Sequence, residues 1–495
     1  MLYTSTRNGG VHVTASKAIT EGISPDGGLY LPEEIPAFSA DDLRALCGVG
    51  YRERAKRVLG KFLCDFTPEE VNDCVENAYA GHKFATPDVA PVVKLDSTVS
   101  VLELFRGPIC AFKDMALQML PHLLTVSAAN NLDIKEIVIL VATSGDTGKA
   151  ALEGFRDVPG TRILVFYPED GVSAMQKLQM TTQEGGNVGV CAIRGNFDDA
   201  QNGVKAIFSD EGIRAELAKS GTFLSSANSI NWGRLLPQIA YYVSAYCDMV
   251  AAGEIKAGEK LDFCVPTGNF GDILAGWYAM KMGVPVGKLV CASNSNRVLT
   301  DLFETGVYDR RRKLMTTVSP SMDILISSNL ERLLFEESGK DDALVRSLMG
   351  ELGGEGIYTL PAELKTRLEK EFAAGCCTEE ETKTAVGEAW RKFGVLIDTH
   401  TAVAWHVLGE YRKKTGSDRP AVIVSTASPY KFCAAVMEGL GAAPKCGGTD
   451  AIFELAELTG TTPPAPLAAL RGKKPVHTGF ASKEEMPGVV LKFGR

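Results

Sequence analysis

Unbroken apolar runs, each closing on small, hydroxylated or glycine residues and then on a helical pattern, set the rhythm of the central chain. Residues 137–142 (Ile-Val-Ile-Leu-Val-Ala), 163–167, 188–192, 261–265 and 421–424, with a further run around Leu289, read as strands buried on both faces, because a half-exposed strand would alternate apolar and polar positions. Helical spacing between them, over about 232–247 and 273–280 among others, predicts parallel sheets joined by right-handed crossovers, an α/β architecture. Residues 1–95 differ: short helical patterns such as 41–47 and 69–80 alternate with Gly and Pro breaks, predicting a mostly helical N-terminal domain. The rest divides at 96–250, holding a smaller βα domain, 251–443, a larger one, and 444–495, a tail whose Pro463-Pro464-Ala465-Pro466 run reads as extended and partly irregular. Residues 344–389 are charged and helical in pattern. No repeat at a solenoid period is present.

Composition narrows the class. A chain of 495 residues exceeds one ordinary domain. A net charge of -9, with no basic stretch longer than Arg310 to Lys313, argues against nucleic acid. Twelve cysteines contain no C-x-x-C pair, and most sit in apolar runs such as those around Cys264 and Cys291, so they read as reduced core thiols. No basic-then-apolar leader and no membrane-length apolar run is visible, which predicts a cytoplasmic chain with no membrane partner.

Candidate chemistry begins at Ala111-Phe112-Lys113-Asp114-Met115, which sets a lysine beside an aromatic ring at the start of a helical stretch. A partly desolvated ε-amine loses its proton more easily, and the neutral amine is the form that attacks an aldehyde. Lys113 is therefore the candidate anchor for pyridoxal phosphate, although taken alone it reads more readily as a solvated residue near a helix start, and three further motifs shift that balance. Thr143-Ser144-Gly145-Asp146-Thr147-Gly148-Lys149 follows a buried strand and opens a helix, so unpaired N–H groups and the helix dipole make an anion site for a carboxylate or a phosphate. A Walker reading fails, because only two residues separate Gly145 from Gly148 and Ala150 follows Lys149. Thr267-Gly268-Asn269-Phe270-Gly271-Asp272 repeats the strand-loop-helix plan without a dinucleotide fingerprint and offers a second anion site, suited to a cofactor phosphate. Ser425-Thr426-Ala427-Ser428-Pro429 ends a strand where ligands sit in open α/β sheets. A hydroxyl there could meet a pyridine nitrogen, while Ser428 reads more plainly as a helix cap.

With these segments the chain resembles the threonine synthase family of fold-type-II pyridoxal-phosphate enzymes, whose fold is similar to that of the tryptophan synthase β chain. The resemblance covers nearly the whole sequence, through Tyr3-Thr4-Ser5-Thr6-Arg7, Gly22-Ile23-Ser24-Pro25-Asp26-Gly27-Gly28, Asn228-Ser229-Ile230-Asn231-Trp232-Gly233-Arg234, Ser319-Pro320-Ser321-Met322-Asp323, Ser327-Ser328-Asn329-Leu330-Glu331-Arg332 and Asp398-Thr399-His400-Thr401. It implies that Lys113 carries pyridoxal 5'-phosphate covalently, that Gly268, Asn269, Phe270 and Asp272 line the cofactor phosphate largely through main-chain N–H groups, and that Thr426 faces the ring nitrogen. Ser144, Gly145, Asp146 and Thr147 would take the substrate carboxylate. Ser428 stands where many family members have histidine, so nothing is carried over for that position.

The implied reaction is a β,γ-replacement that turns O-phosphohomoserine and water into threonine and phosphate, in a monomer or homodimer. The same scaffold could serve a phospholyase or a serine/threonine dehydratase releasing a 2-oxo acid, or a catalytically dead interaction protein; the family-like segments and the retention of Lys113, Thr426 and both glycine loops weigh against these. Among basic residues, Arg234 could clamp a substrate phosphate and reads equally as a surface arginine. Lys149, set against the helix dipole, hints at a bound anion. His400 and His406 share no metal-ligand spacing and read as packed or capping residues, so no metal is expected.

Overall fold

Strand order explains how distant stretches of sequence come to share one site. The structure, a computed structural model, describes residues 1–131, 136–143, 145–169 and 172–494. Its larger sheet has six strands in the order Phe372–Cys376, Val286–Ser293, Leu261–Pro266, Ala421–Ser425, Val99–Glu103 and Val92–Lys94. All neighbours are parallel except Val92–Lys94, which pairs antiparallel at the edge. The smaller sheet has five parallel strands in the order Gly479–Ala481, Val188–Ile193, Thr161–Pro168, Glu136–Ala142 and Thr222–Ser225. The central strands of both are buried along almost their whole length, which is why they read as continuous apolar runs.

The chain leaves the six-stranded sheet after Val99–Glu103, passes through Lys113, builds the five-stranded sheet, and returns along the helix Trp232–Ala251. Lys113 therefore sits on the crossing between the two sheets. The Trp232–Ala251 helix is apolar on nearly all sides and packs between the N-terminal domain and the helix Gly271–Lys281. Trp232 anchors this junction, with Tyr3, Phe62 and Tyr278 ring centroids 5.6, 5.6 and 5.3 Å away.

The N-terminal segment forms the expected helices, Ala40–Cys47 and Pro68–Ala78, each started by a reciprocal cap from Ser39 with Asp42 and Thr67 with Glu70. It also holds a three-stranded antiparallel sheet, in the order Asn8–Val13, Tyr3–Ser5, Tyr30–Pro32, whose strands are too short for periodicity to reveal. Two further expectations are refined. The stretch 344–389 is not wholly helical, because Phe372–Cys376 inserts as an edge strand beside Val286–Ser293. The tail is only partly irregular: Asp450–Thr459 and Met486–Phe493 are helices, and Gly479–Ala481 completes the five-stranded sheet beside Val188–Ile193, with irregular stretches between them.

Where the two sheets' helices meet, the helix Asp146–Phe155 lies directly on the short helix Lys113–Leu117. A Cβ at Gly154 would stand 1.9 Å from the Leu117 carbonyl oxygen, a backbone atom that cannot swing away. Gly154→Ala should therefore destabilise by about 1–3 kcal/mol, the usual range for overpacking, and lower the apparent melting temperature by a few degrees. A melting curve unchanged from the parent would show that this contact is loose.

Candidate active site

Lys113 owes its position to backbone pairing across the sheet. The Phe112 N–H donates to the Thr426 carbonyl (2.7 Å) and the Ser428 N–H to the Cys110 carbonyl (3.0 Å), with Ala111 and Ala427 bridged between them. The segment before Lys113 is thus stitched to the C-terminal end of Ala421–Ser425. Lys113 opens the helix Lys113–Leu117, half-buried, its Nζ 4.8 Å from the Phe112 ring centroid. Burial pushes its amine down to about 8; nearby Asp146 and Asp272 oppose that fall, and nearby Lys431 and Arg234 reinforce it. Asp114 beside it is fully buried and pushed up to about 8 by burial, despite accepting the Ile109 N–H at 2.9 Å.

The second glycine loop lies at the end of Leu261–Pro266. Among the described residues, the N–H groups of Gly268, Asn269 and Phe270 donate to nothing, and the helix Gly271–Lys281 starts immediately after with its first N–H groups free. The loop is held from behind. Ser327 Oγ donates to the Gly268 carbonyl (2.7 Å), and Asn329 donates to the Asn269 carbonyl through its backbone N–H and its Nδ2 (both 3.1 Å). A Cβ at Gly268 would come within 2.7 Å of the Ser321 carbonyl oxygen, so only glycine lets the loop lie this close. Phe270 takes a left-handed conformation (φ 64°) that turns its ring into the core against Phe303 and Phe372, leaving only its backbone at the site. The Asp272 carboxylate accepts from Tyr241 and Tyr242 hydroxyls (2.6 and 2.7 Å) and is pushed up to about 6 by burial. An incoming phosphate would thus meet peptide N–H groups with Asp272 turned to the two tyrosines. The cradle fits a phosphate.

The first loop is more occupied than its sequence suggests. Ser144 lies outside the described residues. The Gly145 N–H is spent on the Thr143 hydroxyl at 3.1 Å. Asp146 and Thr147 begin the helix Asp146–Phe155, so their N–H groups have no intrahelical partner. The Asp146 side chain is turned to Lys431 Nζ (2.8 Å) and Gln176 Nε2 (3.0 Å), and that ion pair holds its carboxyl well below the usual range against the cost of burial. Lys149 does not point to an open anion site: its Nζ pairs with Glu153 at 3.0 Å and with Gln183, which removes the apparent conflict with the helix dipole.

Arg234 lies near enough to Lys113 to act on its amine, and Thr426 is joined to Phe112 through its backbone. Arg234 is buried, its Nη1 donates to the Ala227 carbonyl at 2.9 Å, and its Nε is buried without a partner; burial alone pushes the guanidinium down to about 10. A buried guanidinium paired with no carboxylate among the described residues is costly unless an anion joins it. The Thr426 hydroxyl makes no hydrogen bond among the described residues, while its carbonyl fixes Phe112.

Sequence reasoning gave no role to Lys431 or Arg332, and read His400 correctly as a packed residue. Lys431 follows the strand end at 425–429 by two residues, and a lysine directly after a strand-end turn was the signal. Arg332, fully buried, donates to the Tyr30 carbonyl (2.9 Å), to Asn329 Oδ1 (2.5 Å) and to the Ile230 carbonyl (2.5 Å), tying the N-terminal sheet to the loop before Arg234 and to the residue that carries the Asn269 loop. His400 Nε2 accepts the Ser321 N–H at 3.1 Å, which places the ring proton on Nδ1, donated to Asp398 Oδ2 at 2.7 Å. It is a packed histidine that fixes the segment behind Gly268. His406 lies with Cys377 and Glu381, ligand atoms within 4.8 Å of one another, although no sequence spacing announces it. Glu381 is engaged there as the capping partner of Thr378.

Three family descriptions match the chain: "Threonine synthase N terminus" over residues 2–79, "Pyridoxal-phosphate dependent enzyme" over 90–428, and "Threonine synthase, C-terminal" over 401–466. Threonine synthase-like 1 of Homo sapiens is 42% identical over 435 residues, 86% of this chain; the chain spans 58% of that relative's length. Threonine synthase of Pseudomonas aeruginosa is 39% identical over 446 residues, 90% of this chain and 92% of the relative. The crystal structure of a PLP-bound threonine synthase from Brucella melitensis superposes with a TM-score of 0.89 at 38% identity, covering 100% of both chains.

An amine at about 8 instead of 10.5 is neutral at pH 7 in roughly 300 times as many molecules as an ordinary lysine. Reductive methylation of the cofactor-free protein, mapped by mass spectrometry, should label Lys113 at pH 7 ahead of exposed lysines, its rate levelling off above about pH 8. A rate at Lys113 still climbing steeply at pH 10 would contradict the depressed value.

Proposed function

The chain belongs to the threonine synthase family, and from that membership and the site's geometry we propose that it converts O-phosphohomoserine and water into L-threonine and inorganic phosphate with pyridoxal 5'-phosphate as cofactor. The observation that carries this reading is the convergence on one depressed-pKa lysine of two peptide N–H cradles and a buried arginine without a carboxylate partner. A substrate with both a carboxylate and a phosphate, bound beside a phosphorylated cofactor, needs three anion sites. The site offers that number.

In this reading Lys113 anchors the cofactor. The free N–H groups of Gly268, Asn269 and Phe270 hold the cofactor phosphate, with Asp272 steering the helix start through Tyr241 and Tyr242. Thr426 places a neutral hydroxyl toward the ring nitrogen, which leaves that nitrogen largely unprotonated. The N–H groups of Asp146 and Thr147, with Gly145 shaping the turn and Ser144 adjoining it, receive the substrate carboxylate. With Lys149 committed to Glu153, Arg234 is left to hold the substrate phosphate until it departs with the electron pair of its C–O bond. When bound, the cofactor supplies the delocalisation that makes the substrate Cα proton acidic. Lys113, freed as a neutral amine, removes that proton and then one from Cβ; once the phosphate has left, a proton is delivered to Cγ to make the methyl group, water adds its hydroxyl at Cβ and a proton returns to Cα. The acidic charge and the free thiols support a cytoplasmic setting. Among the described residues no helix is long and apolar enough to cross a membrane.

Phosphate, threonine and 2-oxobutyrate should be measured together after incubation with O-phosphohomoserine. Threonine should equal phosphate, and homoserine should be a far poorer substrate, because losing the substrate phosphate leaves Arg234 unpaired. Equality of 2-oxobutyrate with phosphate would replace the synthase reading by a lyase. Lys113→Ala should abolish turnover, and parent-like turnover in that variant would end the assignment of the anchor. Thr426→Asp should move products from threonine toward 2-oxobutyrate; an unchanged ratio would reduce Thr426 to its backbone role.

A further inference from the structure

Lys431 and Asp146 form an ion pair whose location is unusual. The two side chains are 1% and 2% exposed and meet at 2.8 Å. Asp146 opens a helix on the five-stranded sheet, and Lys431 ends the short turn Pro429–Lys431 that follows a strand of the six-stranded sheet. Both are near enough to Lys113 to act on its amine, as is Arg234. Stability alone gives little reason for such a pair, since a buried salt bridge is matched or bettered by apolar residues of similar volume. The partners are also unequally bound. Asp146 has a second donor in Gln176 at 3.0 Å and lies in the first turn of a helix, where the dipole supports a carboxylate. Lys431 has, among the described residues, only Asp146 and the Ile109 carbonyl at 3.1 Å, so its ammonium has a donor to spare. Asp146 can therefore lose Lys431 and remain held, whereas Lys431 released from Asp146 needs another anion.

We propose that Lys431 is a second anchor for the substrate phosphate beside Arg234, held by Asp146 in the absence of substrate and transferred to the phosphate when it binds. The proposal rests on the reading of the cleft as a site for a phosphorylated amino acid. A monovalent carboxylate is exchanged for a dianionic phosphate, which binds an ammonium more strongly, and no covalent bond changes. The exchange moves one charge contact from across the two sheets to the ligand, so occupancy of the phosphate site and the hold between the sheets are linked.

The test is calorimetric titration of the cofactor-loaded protein with inorganic phosphate, the cofactor's own phosphate already filling the Gly268 loop. Asp146→Asn should bind phosphate at least threefold more tightly than the parent, because the competitor for Lys431 is gone. Adding Lys431→Met to Asp146→Asn should weaken binding at least tenfold relative to Asp146→Asn alone. This double variant keeps the test secure where Lys431→Met by itself fails to fold, since it leaves no buried charge unpaired. A double variant that binds phosphate as tightly as Asp146→Asn, an Asp146→Asn variant no tighter than the parent, or a parent that binds no phosphate would each overturn the proposal. Parent turnover of O-phosphohomoserine is a separate measurement: its failure would remove the functional reading, whereas the phosphate affinities judge Lys431 without it.

Discussion

The hydrogen bond from the Phe112 N–H to the Thr426 carbonyl is the constraint on which the site depends. A lysine on a short helix could point in many directions, and its flexible stem gives no direction of its own. Pairing Cys110, Ala111 and Phe112 with Thr426, Ala427 and Ser428 removes that freedom by making the entry to the helix part of the neighbouring strand's end. The same pairing sets Thr426 opposite Phe112, next to Lys113, while Lys431 stands near enough to act on the amine. One backbone contact thus ties together a lysine, a threonine and a second cation that are far apart in sequence.

A second layer fixes the anion loop. Arg332 draws together the N-terminal sheet, the loop before Arg234 and Asn329, and Asn329 holds the Asn269 carbonyl. His400, oriented by Asp398, holds the Ser321 segment against Gly268. Peptide N–H groups can serve as a phosphate site only if their own carbonyls and neighbours are already satisfied, because a loop free to turn would spend its donors internally. The N-terminal domain is thus tied to the anion loop through Tyr30, Arg332 and Asn329.

The parallel strands and their helix starts were legible in the sequence because continuous apolar runs closed by glycine and hydroxyl residues admit few other structures. Lys113, Gly268, Asn269 and Arg234 stood out as candidates because their neighbours in sequence carry the signal. Lys149 misled, because a cation in the first turn looks unpaired until Glu153 and Gln183 are placed beside it. Lys431 and Arg332 were hidden for the opposite reason: they reach partners more than 100 residues away, and nothing local marks a lysine that reaches Asp146 or an arginine that reaches Tyr30 and Ile230. The strand Gly479–Ala481 was hidden because three residues cannot show a period.

That short strand has a consequence for the order in which the molecule comes into being. The five-stranded sheet is laid down from Glu136 to Ser225 except for one edge, and that edge waits for Gly479–Ala481. The six-stranded sheet is likewise open beside Val99–Glu103 until Ala421–Ser425 arrives. During synthesis both sheets stand with unpaired backbone along Val188–Ile193 and Val99–Glu103 while hundreds of residues are added, a state prone to pairing with other chains. Both edges are closed by strands far downstream in the sequence, so the two sheets stay open-edged until Ala421–Ser425 and Gly479–Ala481 have been made.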